Sequence, residues 1–252
     1  MKITFLGTGG SLGVPMIGCS CTVCNSSDPR NRRYRPSIRL EYSDRSVLID
    51  IAPEFRLQAL DNEVRRVDAV LMTHAHADHC MGMDDLRIIT DLNREQILLY
   101  ATKETMARLD RIFGYLFESK MWGGKKNRIT RIEIEGPFEL FGLEFQPLDL
   151  WHDRDKIIGY RFGGVAYVTD ASEVPDETIS QMKNLDLLII NALRYKPHPK
   201  HLGYQDVLRV IDQVKPKRAL LTHMSHEMDY EKLCAELPGR IAPAYDGLTI
   251  EL

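Results

Sequence analysis

Apolar residues change period along the chain, and each change marks an element. Near the start, "ITFLG", "SIRLEY" and "SVLIDI" are short apolar or alternating runs, which predicts three strands. "PEFRLQALDN" switches to helical spacing behind a proline suited to a first turn. "DAVLMT" is a continuous apolar run, the mark of a buried strand, and it leads straight into the polar stretch "HAHADHC". A helix over "MDDLRIITDL", with acids in its first turn, a strand over "ILLYAT" and a helix over "KETMARLDRIFGYL" follow.

Strands dominate the next stretch, in "RIEIE", "PFEL", "LEFQPL", "IIGYRF" and "VAYVTD". Beyond it the pattern alternates: helix "PDETISQMKNL", strand "DLLIIN", amphipathic helix "YQDVLRVIDQV", strand "RALLTH". The final "RIAPAYDGLTIEL" sets an Asp-Gly step between two extended runs and predicts a hairpin. No repeat, low-complexity tract or linker interrupts the pattern, so one domain is expected over residues 1–252. "ESKMWGGKKNR", with paired glycines and excess positive charge, predicts a mobile insertion.

Composition narrows the class. A chain of 252 residues can bury a sizeable core, and its formal net charge of −3 gives no general basic footprint for nucleic acid. The N-terminus lacks the apolar core of a secretory signal, and no apolar run approaches a membrane span. A cytoplasmic protein without a membrane partner is expected. Of the five cysteines, Cys19, Cys21 and Cys24 cluster while Cys80 and Cys234 stand alone. In a reducing compartment that arrangement favours a metal site over disulfides.

The densest chemistry lies in "LMTHAHADHC". Ligand pairs on a helix need a spacing of three or four, which His74, His76, Asp78 and His79 do not keep. His74 and His76 share a face only on extended backbone, and the adjacent Asp78 and His79 then diverge. The stretch reads as a loop leaving a strand, its ligands aimed at two points. Further candidates sit where strands end: His152 after "LDLW", Asp170 ending "AYVTD" and His223 ending "ALLTH".

With these residues in place the sequence resembles the metallo-β-lactamase superfamily, from "FLGTGGS" to the last histidines. The resemblance implies an α+β fold, the four-layer αββα sandwich, with a binuclear metal site at one edge. Carried over residue by residue, it implies His74, His76 and His152 on one metal. Asp78, His79 and His223 would hold the other, and Asp170 would bridge both. Imidazole and carboxylate ligands suit zinc, iron or manganese. His76 argues against the superfamily's iron oxidoreductases, which carry an acid there. Asp50, ending "LID", matches a family position that supports the histidine loop by hydrogen bonding; a turn or capping role explains it equally well. Two divalent cations, Zn or Mn, sharing a bridging water would acidify it and clamp oxygens of the electrophile. Asp78 and Asp170 would also help orient the resulting hydroxide. That chemistry covers esters, thioesters, lactams and phosphodiesters.

"GCSCTVC" adds a C-x-C-x2-C insertion. Three thiolates so spaced favour a closed tetrahedral zinc site, with a fourth ligand from among His226, Cys80, Cys234 and His198; plain buried thiols are the alternative. A similar insertion occurs in the PhnP-like cyclic phosphodiesterases of the carbon–phosphorus lyase pathway, a branch close to tRNase Z. There the histidine partner lies just past the last active-site histidine, which implies His226 and one structural zinc. A protein of pyrroloquinoline quinone biosynthesis has a comparable insertion. The phosphodiesterase branch also carries an additional catalytic histidine, and His201 in "HPKHLGYQDVL" stands in its place. It would act as general acid on the leaving alkoxide or stabilise the transition state. His198, between prolines, reads as a surface residue. The most basic stretch, "RNRRYRPSIR", offers Arg30, Arg32, Arg33, Arg35 and Arg39 to a phosphate or a subunit contact, with a solvated charged face as the default expectation.

The expected function is a metal-dependent phosphodiesterase acting through a metal-bridging hydroxide on a small cyclic phosphate, of the phosphoribosyl 1,2-cyclic phosphate or 2′,3′-cyclic nucleotide type. The alternatives are a tRNA 3′-processing nuclease, a thioesterase or lactonase, and a non-catalytic accessory protein of pyrroloquinoline-quinone-type cofactor synthesis. Extended nucleic acid is not an expected partner. Family analogy alone suggests a homodimer.

Overall fold

The computed structural model describes residues 1–117 and 128–252, which divide into two compact units. The first gathers Met1–Gly7, Arg35–Glu135 and Gly247–Leu252, and the second Thr8–Tyr34 and Gly136–Asp246. All of "ESKMWGGKKNR" except Arg128 lies outside the described residues.

In the first unit, β1 (Lys2–Gly7), β2 (Ser37–Tyr42) and β3 (Arg45–Ile49) form an antiparallel meander. Then β4 (Ala69–Leu71), β5 (Ile97–Ala101) and β6 (Ile129–Glu133) extend the sheet in parallel. Parallel neighbours need crossovers, and helices supply them. They are α1 (Phe55–Asp61) before β4, the short turn α2 (Ala77–Cys80) and α3 (Leu86–Asn93) before β5, and α4 (Lys103–Phe117) before β6. Leu48, Val70 and Leu99 of the strands pack into one buried cluster with Phe55, Leu86 and Leu109 of the helices. Every residue of β4 is buried, as its unbroken apolar run requires.

The second unit repeats this scheme. β7 (Phe138–Leu140), β8 (Leu143–His152), β9 (Asp155–Phe162) and β10 (Val165–Val168) run antiparallel. β11 (Leu187–Asn191), β12 (Arg218–Thr222) and β13 (Ile241–Pro243) follow in parallel. Their crossovers are α5 (Asp176–Gln181), α6 (Tyr204–Val214) and α7 (Tyr230–Glu236). α6 buries Val207, Val210, Ile211 and Val214, a single stripe at helical spacing, against a cluster that includes Leu148, Ile190 and Leu221. Asp50 leaves β3 and Asp170 leaves β10, so each acid follows the last strand of its unit's antiparallel run.

The predicted C-terminal hairpin does not form. β13 pairs in parallel with β12, whereas β14 (Thr249–Glu251) pairs antiparallel with β1, Ile250 opposite Ile3. The Asp-Gly step serves another purpose. Asp246 Oδ1 accepts the Thr8 amide at 2.9 Å and its hydroxyl at 2.7 Å, and Oδ2 accepts the Tyr34 amide at 2.6 Å. Gly247, at φ +86°, supplies the left-handed step that follows. Among the described residues no helix is long and apolar enough to cross a membrane.

Candidate metal-binding sites

In the first unit, β4 carries the chain into the histidine stretch. That stretch is not wholly a loop. The His79 amide donates to the His76 carbonyl at 3.0 Å, and Ala77–Cys80 closes one helical turn that places Asp78 and His79. His74 and His79 are buried and His76 is half-buried. The ring of His74 lies 4.6 Å from that of His76 and 4.3 Å from that of His79. Asp78 Oδ2 is 3.5 Å from His79 Nε2.

Asp50 organises this group. Its backbone is left-handed, φ +62°, a conformation that costs a non-glycine residue on the order of 1–3 kcal/mol. Hydrogen bonds offset the cost: the Asp50 amide donates to Leu71 O at 2.9 Å, and its carbonyl accepts from Ser37 Oγ at 2.9 Å. The carboxylate takes the Thr73 amide at 2.8 Å, the Thr73 hydroxyl at 2.8 Å and His79 Nδ1 at 2.7 Å. Burial pushes the Asp50 carboxyl up, against the pull of His79 and Thr73. Thr73 has one hydroxyl proton, and Asp50 receives it. In the 3.0 Å contact between Thr73 Oγ1 and His74 Nδ1 the imidazole must therefore be the donor. Both His74 and His79 then carry their proton on Nδ1, which leaves the Nε2 lone pair for a metal.

In the second unit, His152 ends β8 and donates from Nδ1 to the Asp170 carbonyl at 2.7 Å, so its Nε2 is likewise the nitrogen that could serve a metal. Asp170 Oδ1 lies 2.6 Å from His223 Nε2. Both residues are left-handed, at φ +56° and +53°. Asn191 holds the backbone just past Asp170: it accepts the Ala171 amide at 2.9 Å and donates to the Ala171 carbonyl at 3.1 Å. Sequence reasoning passed over Asn191, although a polar residue closing the apolar run "LLII" was its signal.

His201 is buried beside these residues, its ring 4.9 Å from His152 and 5.1 Å from His223. Its Nδ1 has no hydrogen-bond partner. Burial first, then the neighbouring His223, pushes its imidazolium down to about 3. His198 is half-buried rather than openly exposed, 5.1 Å from the His201 ring, and its Nδ1 accepts the Lys200 amide at 3.2 Å.

The cysteine insertion forms a second group within the same unit. Cys19, Cys21, Cys24 and His226 offer ligand atoms that all lie within 4.8 Å of one another. His226 Nδ1 is 3.3 Å from Cys19 Sγ and 3.4 Å from Cys21 Sγ. Backbone amides point at the sulfurs: Met16 at Cys24, Cys24 at Cys21 and Cys21 at Cys19, at 3.3, 3.4 and 3.5 Å. The Cys24 amide and then His226 pull the Cys21 thiol down to about 6, while burial pushes Cys24 up to about 11. Three soft sulfurs and one imidazole at this separation suit a tetrahedral zinc ion. Of the four candidate partners His226 is the one at the cysteines. Cys80 is buried with its thiol 3.7 Å from Ala75 O, Cys234 is exposed, and His198 lies against His201.

The basic stretch is not a solvated face. Only Arg32 is exposed. Arg30 pairs with Asp28 and Glu231, Arg35 with Glu54 and Arg39 with Glu41, and Arg33 is buried.

Residues 45–224 match a family described as a β-lactamase superfamily domain. The chain belongs to the metallo-β-lactamase superfamily. Its fold is the one expected, with two mixed sheets and their flanking helices. A crystal structure of a diphosphatase from the PhnP family is 39% identical and covers 100% of this chain and 97% of that one, with a TM-score of 0.93. An octanoyltransferase of Porphyromonas gingivalis is 36% identical over 98% of this chain. The chain spans about half the length of that relative, 51%. A ribonuclease Z of Pyrobaculum calidifontis is 23% identical, over 96% of this chain and 93% of its own. The chain is thus related to a PhnP-family diphosphatase and a ribonuclease Z, and the superfamily fold implies binding of divalent metal.

Proposed function

We propose that the chain hydrolyses a small-molecule phosphodiester with the help of two divalent cations, zinc or manganese. His74, His76, Asp78 and His79 of the first unit and His152, Asp170 and His223 of the second are the proposed ligands. What supports them is the shared imidazole geometry: Thr73, Asp50 and the Asp170 carbonyl each take an Nδ1 proton, which turns an Nε2 lone pair outward on His74, His79 and His152. The cations, once bound, supply acidified water and neutralise charge building on the phosphate oxygens. Asp50 and Thr73 hold the two imidazoles of the first unit still, and the Asp170 carbonyl does so for His152. His201, neutral at physiological pH because it is buried, lends a ring N–H to the departing oxygen rather than a full proton. The cysteine group with His226 is the proposed structural zinc site, pinning the insertion that begins after β1.

A small cyclic phosphate is the first candidate substrate. A diphosphate is the second, favoured because the 39% identical PhnP-family structure is a diphosphatase. Metal-loaded protein should be tested on phosphoribosyl 1,2-cyclic phosphate, 2′,3′-cyclic nucleotides, a dinucleoside diphosphate, an aryl phosphodiester, an acyl thioester and precursor tRNA. Turnover confined to the thioester, or to the tRNA, overturns the proposal.

A further inference from the structure

Arg33 heads the fully buried side chains of the described residues by volume. A buried guanidinium is costly, and an apolar side chain of like volume would commonly stabilise the fold as well or better. Its contacts show what the charge is for. Nη2 donates to the Met228 carbonyl at 2.7 Å and to Asn31 Oδ1 at 3.0 Å, and Nη1 donates to the Ser225 carbonyl at 3.2 Å. The two carbonyls bracket His226, the imidazole that meets Cys19 and Cys21. The Arg33 backbone pairs with Val14 in both directions, at 2.8 and 2.9 Å, so its base is tied to the cysteine insertion. Asn31 completes the grip: it accepts the Tyr230 amide and donates to Asp229, both at 2.9 Å. A single ammonium could not hold two carbonyls in fixed directions, whereas a planar fork can.

We propose that Arg33 is a positioning residue for the thiolate metal site: its fork fixes the Ser225 and Met228 carbonyls and so sets the bend that presents His226 to Cys19 and Cys21. The assignment rests on reading the cysteine group as a metal site. It also gives the basic stretch a use that neither phosphate binding nor solvation provides.

The test loads the full chain with cobalt in place of zinc, reads the sulfur-to-cobalt and ligand-field bands, and measures zinc affinity against a chromophoric chelator. Arg33→Met should lower zinc affinity about 10–100-fold, the usual scale for losing a residue that orients a ligand. The ligand-field bands should shift as the imidazole is displaced. Arg33→Lys should recover part of the loss. Arg30→Met, which touches neither carbonyl, should match the unsubstituted protein. A wild-type spectrum and affinity in Arg33→Met overturn the assignment. Should that variant not fold, Asn31→Ala removes the side-chain oxygen shared by Arg33 and the Tyr230 amide. Weaker zinc binding with shifted bands then supports the assignment, and an unchanged spectrum and affinity overturn it. If the unsubstituted protein shows no sulfur-to-cobalt band, the cysteine site itself fails and the role of Arg33 goes with it. A band in the unsubstituted protein together with an unchanged Arg33→Met sinks Arg33 alone.

Discussion

His79 donates a hydrogen bond from Nδ1 to Asp50 across 2.7 Å, and neither side chain is exposed to solvent. The same carboxylate reaches His74 through the Thr73 hydroxyl, so one acid sets the tautomer of two imidazoles. Asn tolerates the left-handed backbone at this position, so Asp50→Asn tests the carboxylate rather than the turn. It should weaken divalent-metal binding about 10–100-fold. Calorimetric titration of the apoprotein reads it directly; unchanged affinity would mean the carboxylate is dispensable for the ligands.

His201→Ala removes a donor without touching a proposed ligand. Turnover on the preferred phosphodiester should fall on the order of 10² while metal content by mass spectrometry stays the same. Equal turnover takes His201 out of the reaction; loss of metal makes it a ligand instead.

The thiols separate by pH. The lowered Cys21 thiol, near 6, is mostly thiolate at pH 7, while Cys24 and Cys80, pushed up to about 11 and about 12, stay protonated there. After chelator treatment, iodoacetamide at pH 7 should label Cys21 and spare the other two, and its rate at Cys21 should drop as pH falls through about 6. Zinc should then protect Cys21. Peptide mapping that finds all three labelled alike refutes this ordering.

Gly82 follows the histidine turn, and its amide donates to Ile51 O at 3.1 Å. An added methyl there would overlap the Ala52 carbonyl and stand 2.7 Å from Phe55 Cβ, so backbone must move. Gly82→Ala should cost roughly 1–3 kcal/mol, read as a lower urea midpoint at constant slope.

Much of this was visible in the pattern of residues, because period and burial are linked. β4 and α6 announce themselves by an unbroken apolar run and a clean stripe. The ligand candidates stood out because they recur where strands end. What escaped depends on partners far off in the chain. The Asp-Gly step looks like a hairpin until β14 finds β1, some 250 residues away. Within α7 only Leu233 is buried, too little for a stripe. Arg33 sits among four other arginines, and nothing local distinguishes the one whose two carbonyl acceptors lie beyond His223.

Asp50 and Asp170 leave matching strands of twin units in the same rare backbone pose, but they address opposite nitrogens of their histidine neighbours. Asp50 meets Nδ1 of His79, whereas Asp170 meets Nε2 of His223. One left-handed pose thus serves two ends: the first acid steadies an imidazole from behind, and the second confronts its imidazole head-on.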